Sequence, residues 1–271
     1  KNMDNRPIGF FDSGIGGLTC IAALQKKLPN ERVVYYGDTA RTPYGSKSIE
    51  TIKRFSFQIS DYLISHDVKM IVIACNTISA TCLTSLRRRY PSIPITGVIE
   101  PIANKLALKE KKEIEIGMIG TKATVGSGIY SNLITSRNRR VKFFSKACPA
   151  LVPLIEEGII DNEIMNLTLK YYLDDFVRDN NLKKLILGCT HYPLLRKNLK
   201  KLYPDLELLN PADYVIDEVG EFLKSNNLLA EENSQKHLCY ASDISENLQN
   251  VLEAVFETNK DIELSFKRFE D

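Results

Sequence analysis

The sequence predicts an α/β protein of two similar lobes, each a mainly parallel sheet flanked by helices, and three observations carry that reading. Short β-rich runs alternate with amphipathic helical stretches along almost the whole chain, and parallel neighbours require helical crossovers. One phrase occurs twice. Met70-Ile71-Val72-Ile73-Ala74-Cys75-Asn76-Thr77 and Lys184-Leu185-Ile186-Leu187-Gly188-Cys189-Thr190-His191 are each an apolar run of strand length ending in a small residue and a cysteine. Each phrase also has a matching opening upstream, Ile8-Gly9-Phe10-Phe11-Asp12-Ser13-Gly14 in one half and Ile116-Gly117-Met118-Ile119-Gly120-Thr121 in the other.

Taken in order, strands are expected at residues 8–12, 33–37, 70–74, 95–99, 114–119, 141–145, 184–188, 206–209, 237–241 and 262–266. The helix over 48–66 puts Ile49, Ile52, Phe55, Ile59 and Leu63 at the spacing of one buried face. Pro91 and Pro204 stop two others. The chain is expected to turn and cross between lobes at Glu100-Pro101 and Asn210-Pro211, since the residue before proline is disfavoured in helix. That divides it into a first lobe of 5–101 plus 212–271 and a second of 102–211.

Composition narrows the partners. The 271 residues are 44% hydrophobic and 26% charged, with a net charge of only +2, so no field is strong enough to favour nucleic acid or an acidic membrane. No run approaches the roughly 18 apolar residues of a membrane span, and the first residues lack the apolar core of a signal peptide. A cytoplasmic protein acting on a small molecule is the expectation. Arg87-Arg88-Arg89 and Arg137, Arg139 and Arg140 fall near helix ends, where cations complement the dipole. The six cysteines are read as free thiols, and Cys20, Cys82, Cys148 and Cys239 as buried packing residues.

Cys75 and Cys189 read differently. Both lie where a strand ends, in company with Asn76-Thr77 and Thr190-His191, and ligands of open parallel sheets bind beyond those ends. A helix start with free N–H groups is expected after Asp12-Ser13 and after each cysteine. If the lobes face each other across a cleft, one thiol reaches each side of a bound molecule. Two sulfurs each about 3 to 3.5 Å from one carbon are roughly 6 to 7 Å apart, too far for a disulfide. Such a pair can remove a proton from one face of the carbon and return one to the other. That inverts a stereocentre. Cofactor signatures are missing: Thr19 stands where a dinucleotide fingerprint needs its third glycine, and Cys75, Cys189 and His191 lack zinc spacing and a fourth ligand.

The phrases Phe11-Asp12-Ser13-Gly14-Ile15-Gly16-Gly17, Tyr36-Gly37-Asp38, Pro43-Tyr44-Gly45, Ala74-Cys75-Asn76-Thr77, Gly97-Val98-Ile99-Glu100-Pro101, Gly120-Thr121-Lys122-Ala123-Thr124, Val152-Pro153-Leu154-Ile155-Glu156-Glu157 and Gly188-Cys189-Thr190-His191 together resemble the bacterial glutamate racemase family. They span about residues 8–215. The resemblance implies cofactor-independent interconversion of L- and D-glutamate, the D-isomer feeding peptidoglycan synthesis, by a homodimer. Cys75 then looks like the thiolate that deprotonates the D-isomer and Cys189 the one for the L-isomer. Asp12 looks like the helper beside Cys75, with Glu156 and His191 beside Cys189; Glu157 is the neighbour that a one-residue shift would substitute for Glu156. Ser13, Pro43, Tyr44, Gly45, Asn76, Thr77, Thr121, Thr124 and Thr190 look like substrate contacts. The related aspartate racemases typically carry an acidic residue where His191 stands, which favours glutamate. A non-catalytic amino-acid-binding or thiol-sensing module is the alternative from another class.

Without the resemblance, helix capping is the alternative reading of Asp12 and Ser13, and Pro43-Tyr44-Gly45 reads as an ordinary turn. His66 reads as a helix-dipole partner and His237 carries no functional signal.

Overall fold

Each apolar run forms a strand, because helices on both faces of a parallel sheet bury continuous apolar sequence. The strands are β1 (Ile8–Asp12), β2 (Val33–Gly37), β3 (Met70–Ile73), β4 (Ile95–Gly97), β5 (Ile114–Gly120), β6 (Val141–Ala147), β7 (Lys184–Gly188), β8 (Glu207–Leu209), β9 (His237–Ala241) and β10 (Ile262–Phe266). They form a six-stranded sheet of order β10-β9-β2-β1-β3-β4 and a four-stranded sheet of order β6-β5-β7-β8. Among the described residues every pairing is parallel. The computed structural model describes residues 3–232, 235–256 and 261–270. It divides into two compact units, Lys1–Val98 with Ala212–Asp271, and Ile99–Pro211.

The crossovers are α1 (Leu18–Lys27), α2 (Ile49–Ile64), α3 (Asn76–Thr81), α4 (Leu83–Arg89), α5 (Ile99–Lys109), α6 (Lys122–Ser127), α7 (Ile129–Arg137), α8 (Leu151–Glu156), α9 (Glu163–Asp179), α10 (Arg196–Leu202), α11 (Pro211–Ser225) and α12 (Glu246–Val255). Ser48 caps α2 by accepting the Thr51 N–H, as Asn162 and Ser245 do for α9 and α12. Ile52, Phe55, Ile59 and Leu63 are buried along α2, but Ile49 is 54% exposed. It occupies the first helical turn, where packing neighbours continue on one side only. Pro101 also departs from expectation: Glu100 and Pro101 lie inside the first turn of α5, where the N–H that proline lacks has no helical acceptor to lose. Pro211 opens α11 in the same way.

The central strands β1, β2 and β3 are buried along their whole length, whereas the edge strand β6 exposes Lys142, Ser145 and Lys146, which discourages pairing with another chain. Beneath the first sheet, Lys69 and Glu31 form a buried ion pair of 2.6 Å. The ammonium also donates to the carbonyls of Asp4 and Leu228, both at 2.7 Å, and Glu31 Oε1 accepts the Ala230 N–H at 2.8 Å. With these partners satisfied, the pair offsets its desolvation and ties together segments distant in sequence.

The topology answers why the cysteine phrase recurs. In the first sheet the chain passes from β1 to β2 on one side and then to β3 on the other; in the second it passes from β5 to β6 and then to β7. In each sheet the strand order therefore reverses beside the first strand, β1 or β5, and the strand followed by a cysteine is the first one laid down after that reversal; the first sheet's chain later returns from β4 to β9.

Candidate active site

Ligand crevices of open parallel sheets open where strand order reverses, because the loops on either side leave toward opposite faces. In the first unit this point lies between β1 and β3, with Phe11 opposite Ile73. Asp12 ends β1 and is fully buried, and its Oδ2 accepts the Gly17 N–H at 2.8 Å. Cys75 is the N-cap of α3, and its Sγ donates to Ser13 Oγ at 3.5 Å. A side chain at Gly17 would bring its Cβ within 2.8 Å of Asp12 Cβ and 2.9 Å of Ala74 Cβ. Close packing of the loop against the strand end thus explains both the glycine and the small residue before the cysteine. The helix start expected directly after Ser13 lies further on, at Leu18. The intervening loop folds back over Asp12, and Tyr35 OH donates to the Gly14 carbonyl at 2.9 Å.

Asn76 and Thr77 are buried in the first turn of α3. Along the loop after β2, Pro43 is exposed, Gly45 is half-buried and Tyr44 is 1% exposed. The Tyr44 hydroxyl donates to Asp38 Oδ2 in a short bond. Its phenol is held inside the unit by this bond.

In the second unit the reversal lies between β5 and β7, with Gly120 opposite Gly188. A Cβ on Gly188 would meet the Ile119 carbonyl oxygen at 2.5 Å, so the residue before this cysteine is also small because the strands crowd there. Thr121 caps α6, its Oγ1 accepting the Thr124 N–H at 3.3 Å. Thr124 is buried and Thr190 half-buried. Cys189 Sγ lies 3.9 Å from His191 Nδ1, and His191 Nε2 lies 2.6 Å from Glu156 Oε1. Of the two adjacent glutamates, Glu156 reaches the imidazole; Glu157 is exposed at the C-cap of α8. No α-helix starts at Cys189. A single 3₁₀ turn, Tyr192–Leu195, follows His191 instead.

Burial of His191 opposes its charged form, but hydrogen bonds and charge from Cys189 and Glu156 outweigh it and push the pKa up to about 10. The ring is therefore an imidazolium at neutral pH.

Both thiols are buried, Cys75 at 4% exposure and Cys189 at 8%, and each belongs to the apolar cluster of its unit. Burial alone does not separate them from the other four cysteines, which are also free and buried. Position at the strand reversal does, whereas a hydroxyl neighbour does not, since Cys82 Sγ also lies 3.3 Å from Thr81 Oγ1. Desolvation pushes the thiols of Cys148 and Cys239 up to about 12, which keeps them protonated. His66 Nδ1 lies 2.9 Å from the Tyr62 carbonyl just past α2, and His237 Nδ1 accepts the Val33 N–H at 3.0 Å. Among the described residues no group of three or more His, Cys, Asp and Glu side chains is placed to hold a metal ion. No helix there is long and apolar enough to cross a membrane.

This two-sheet α/β chain belongs to the Asp/Glu/hydantoin racemase family, whose model matches residues 18–219. It is 40% identical over 268 residues to the glutamate racemase of Chlorobaculum tepidum, covering 97% of each chain. Identity to the glutamate racemase of Sulfurihydrogenibium sp. is 44% over 263 residues, covering 96% of this chain and 98% of that one. The fold superposes on the crystal structure of glutamate racemase from Francisella tularensis in complex with D-glutamate with a TM-score of 0.89, at 36% identity and 98% coverage of both chains. Within the family the chain stands among the glutamate racemases, and it is an isomerase.

Proposed function

We propose that the protein interconverts L- and D-glutamate without a cofactor, Cys75 taking the α-proton of the D-isomer and Cys189 that of the L-isomer. The observation that carries this reading is the recurrence of a cysteine at the strand reversal of each sheet, each with a polar neighbour. In either direction a thiolate accepts the α-proton, the C–H electron pair remains on carbon, and the thiol on the opposite face donates its proton to that carbon. Each turnover leaves the two sulfurs with exchanged protonation states.

The polar neighbours divide the remaining work. An α-proton is a very weak acid, and a free thiol of pKa about 8.5 is only a few per cent ionised at neutral pH. Asp12 is placed at the Cys75 strand reversal, where a carboxylate suits the substrate ammonium, whose charge then favours the nearby thiolate. His191, charged and backed by Glu156, compensates negative charge on Cys189 and offers Nδ1 for proton exchange. Hydroxyls and amides of Ser13, Asn76, Thr77, Thr121, Thr124 and Thr190, with the backbone of Pro43 to Gly45, fit the substrate carboxylates, and donors aimed at the α-carboxylate stabilise the carbanion. We place the activity in the cytoplasm, in a homodimer, where it supplies D-glutamate for peptidoglycan.

The test is to incubate pure D-glutamate with the protein and no added cofactor in deuterium oxide, following circular dichroism and α-proton loss. Decay of the optical signal to zero with deuterium at the α-position supports the reading; a binding module leaves both unchanged. D-Aspartate in the same assay distinguishes the aspartate racemase alternative.

A further inference from the structure

The residues that fix the loop carrying Pro43, Tyr44 and Gly45 lie far apart in sequence and meet on one carboxylate. Asp38, at the end of β2, is fully buried. Its Oδ2 accepts from Arg41 Nε at 2.7 Å and from the Tyr44 hydroxyl, and its Oδ1 accepts from Ser242 Oγ at 2.8 Å. Ser242 Oγ also accepts the Ala40 N–H at 2.8 Å. The loop is thereby held at Ala40, Arg41 and Tyr44. Burial and the Asp38 charge push the Tyr44 phenol well above its usual range, so it remains a donor.

The chain's last described residues close over this arrangement. Lys267 N–H donates to the Ala241 carbonyl at 2.9 Å, Tyr36 OH donates to the Lys267 carbonyl at 2.8 Å, and Arg268 Nε donates to the Ser242 carbonyl at 2.9 Å. Gln58 bridges the two layers: its Oε1 accepts from Arg41 Nη1 at 2.7 Å and its Nε2 donates to the Glu270 carbonyl at 3.2 Å. The Arg41 guanidinium lies 3.7 Å from the Phe55 ring centre and 5.8 Å from that of Phe269. Phe269 itself packs on Tyr36 at 5.1 Å and on Tyr62 at 5.7 Å.

We propose that Asp38 and Arg41 are positioning residues for the Pro43-Tyr44-Gly45 loop, and that the C-terminal tail, through Phe269 and Arg268, is the latch that keeps them seated. The inference deepens the proposed reaction and rests on that reading for its kinetic arm. In that reading the loop backbone meets the substrate carboxylates, and the tail acts through the loop. Loosening the latch therefore lowers the fraction of protein with the loop in place, which raises KM more than it lowers kcat.

The experiment compares Tyr44→Phe, Asp38→Asn, Phe269→Ala and the conservative Phe269→Tyr in the full chain. It measures KM and kcat with both glutamate enantiomers, amide hydrogen exchange and thermal melting. Tyr44→Phe and Asp38→Asn are expected to raise KM about tenfold with kcat within about threefold of the parent. Phe269→Ala is expected to raise KM about threefold to fivefold, and Phe269→Tyr to restore it. In Phe269→Ala, amides of residues 39–45 exchange faster while those of β1 and β3 keep their protection. Unchanged exchange in the loop overturns the proposal, as does a loss confined to kcat or a uniform acceleration that tracks the melting temperature. Should the parent protein fail to racemise glutamate, the reaction reading fails, and the exchange arm still decides whether the tail holds the loop.

Discussion

Cys75 and Cys189 occupy equivalent places in their two sheets and are surrounded by different chemistry. Cys75 caps a helix and meets a neutral hydroxyl, Ser13 Oγ. Cys189 precedes a 3₁₀ turn and meets an imidazolium that a carboxylate holds from its far side. The repeated fold fixes where a sulfur is presented, because strand reversal is a property of topology. Local residues then decide how that sulfur is managed. On the Cys189 side the protein carries its own cation; on the Cys75 side the proposed counter-charge is the substrate ammonium.

The largest expected effect comes from removing either sulfur. Cys75→Ser and Cys189→Ser should each reduce racemisation by about 10³-fold or more, since a serine hydroxyl is far too weak an acid to supply the base. Each variant should still exchange the α-proton of one enantiomer with solvent deuterium without inverting it, D-glutamate for Cys189→Ser and L-glutamate for Cys75→Ser. Equal exchange of both enantiomers in either variant would break the assignment of one face to each thiol.

Next come Glu156→Gln and His191→Asn, expected to lower turnover by about ten- to a hundredfold. Mirror-image substrates have an equilibrium constant of one, so kcat/KM must fall equally in both directions. The asymmetry appears in the primary isotope effect, which should rise for α-deuterated L-glutamate and change little for the D-isomer. The opposite pattern would assign the imidazole to the Cys75 step.

The same imidazole predicts a pH trend in stability. Its folded pKa of about 10 exceeds the ordinary 6.5, so its contribution is fully present below about pH 6.5 and declines as pH rises toward 10. Denaturant midpoints of the parent and His191→Asn, taken from pH 6 upward, should therefore converge with increasing pH. A constant gap would mean that the ring is neutral in the fold. The smallest effect is Ser13→Ala, about twofold to threefold in turnover, because a neutral hydroxyl accepting from sulfur contributes little. A loss as large as that of Glu156→Gln would show that the two sides are not managed differently.

Much of this was legible before any coordinates. All ten strands follow from apolar run length and β-branched content, and the two cysteines were marked by their polar company at a strand end. The resemblance named Glu156 with His191 beside Cys189 and kept Glu157 as the one-residue alternative; the direction of α8 turns Glu156 toward the imidazole. Ile49 fits the periodicity of α2 and is nonetheless exposed, because periodicity reports a face and says nothing of where the neighbours end. Tyr44 read as part of a turn and as a substrate contact, and nothing in the sequence marked its hydroxyl as a buried partner of Asp38. Asp38 and Arg41 went unremarked as a pair, and Ser242 carried no signal, lying 204 positions from its carboxylate partner.

The sequence by itself determined the alternation of elements, the two phrases with their cysteines and the small residues that crowd beside them, because these depend on local preference and on strand spacing. Only the tertiary structure decided which carboxylate backs the imidazole and which distant hydroxyl and aromatic ring seat the Tyr44 loop. Those choices depend on groups brought within about 3 Å by chain crossings, and spacing along the chain does not encode that proximity.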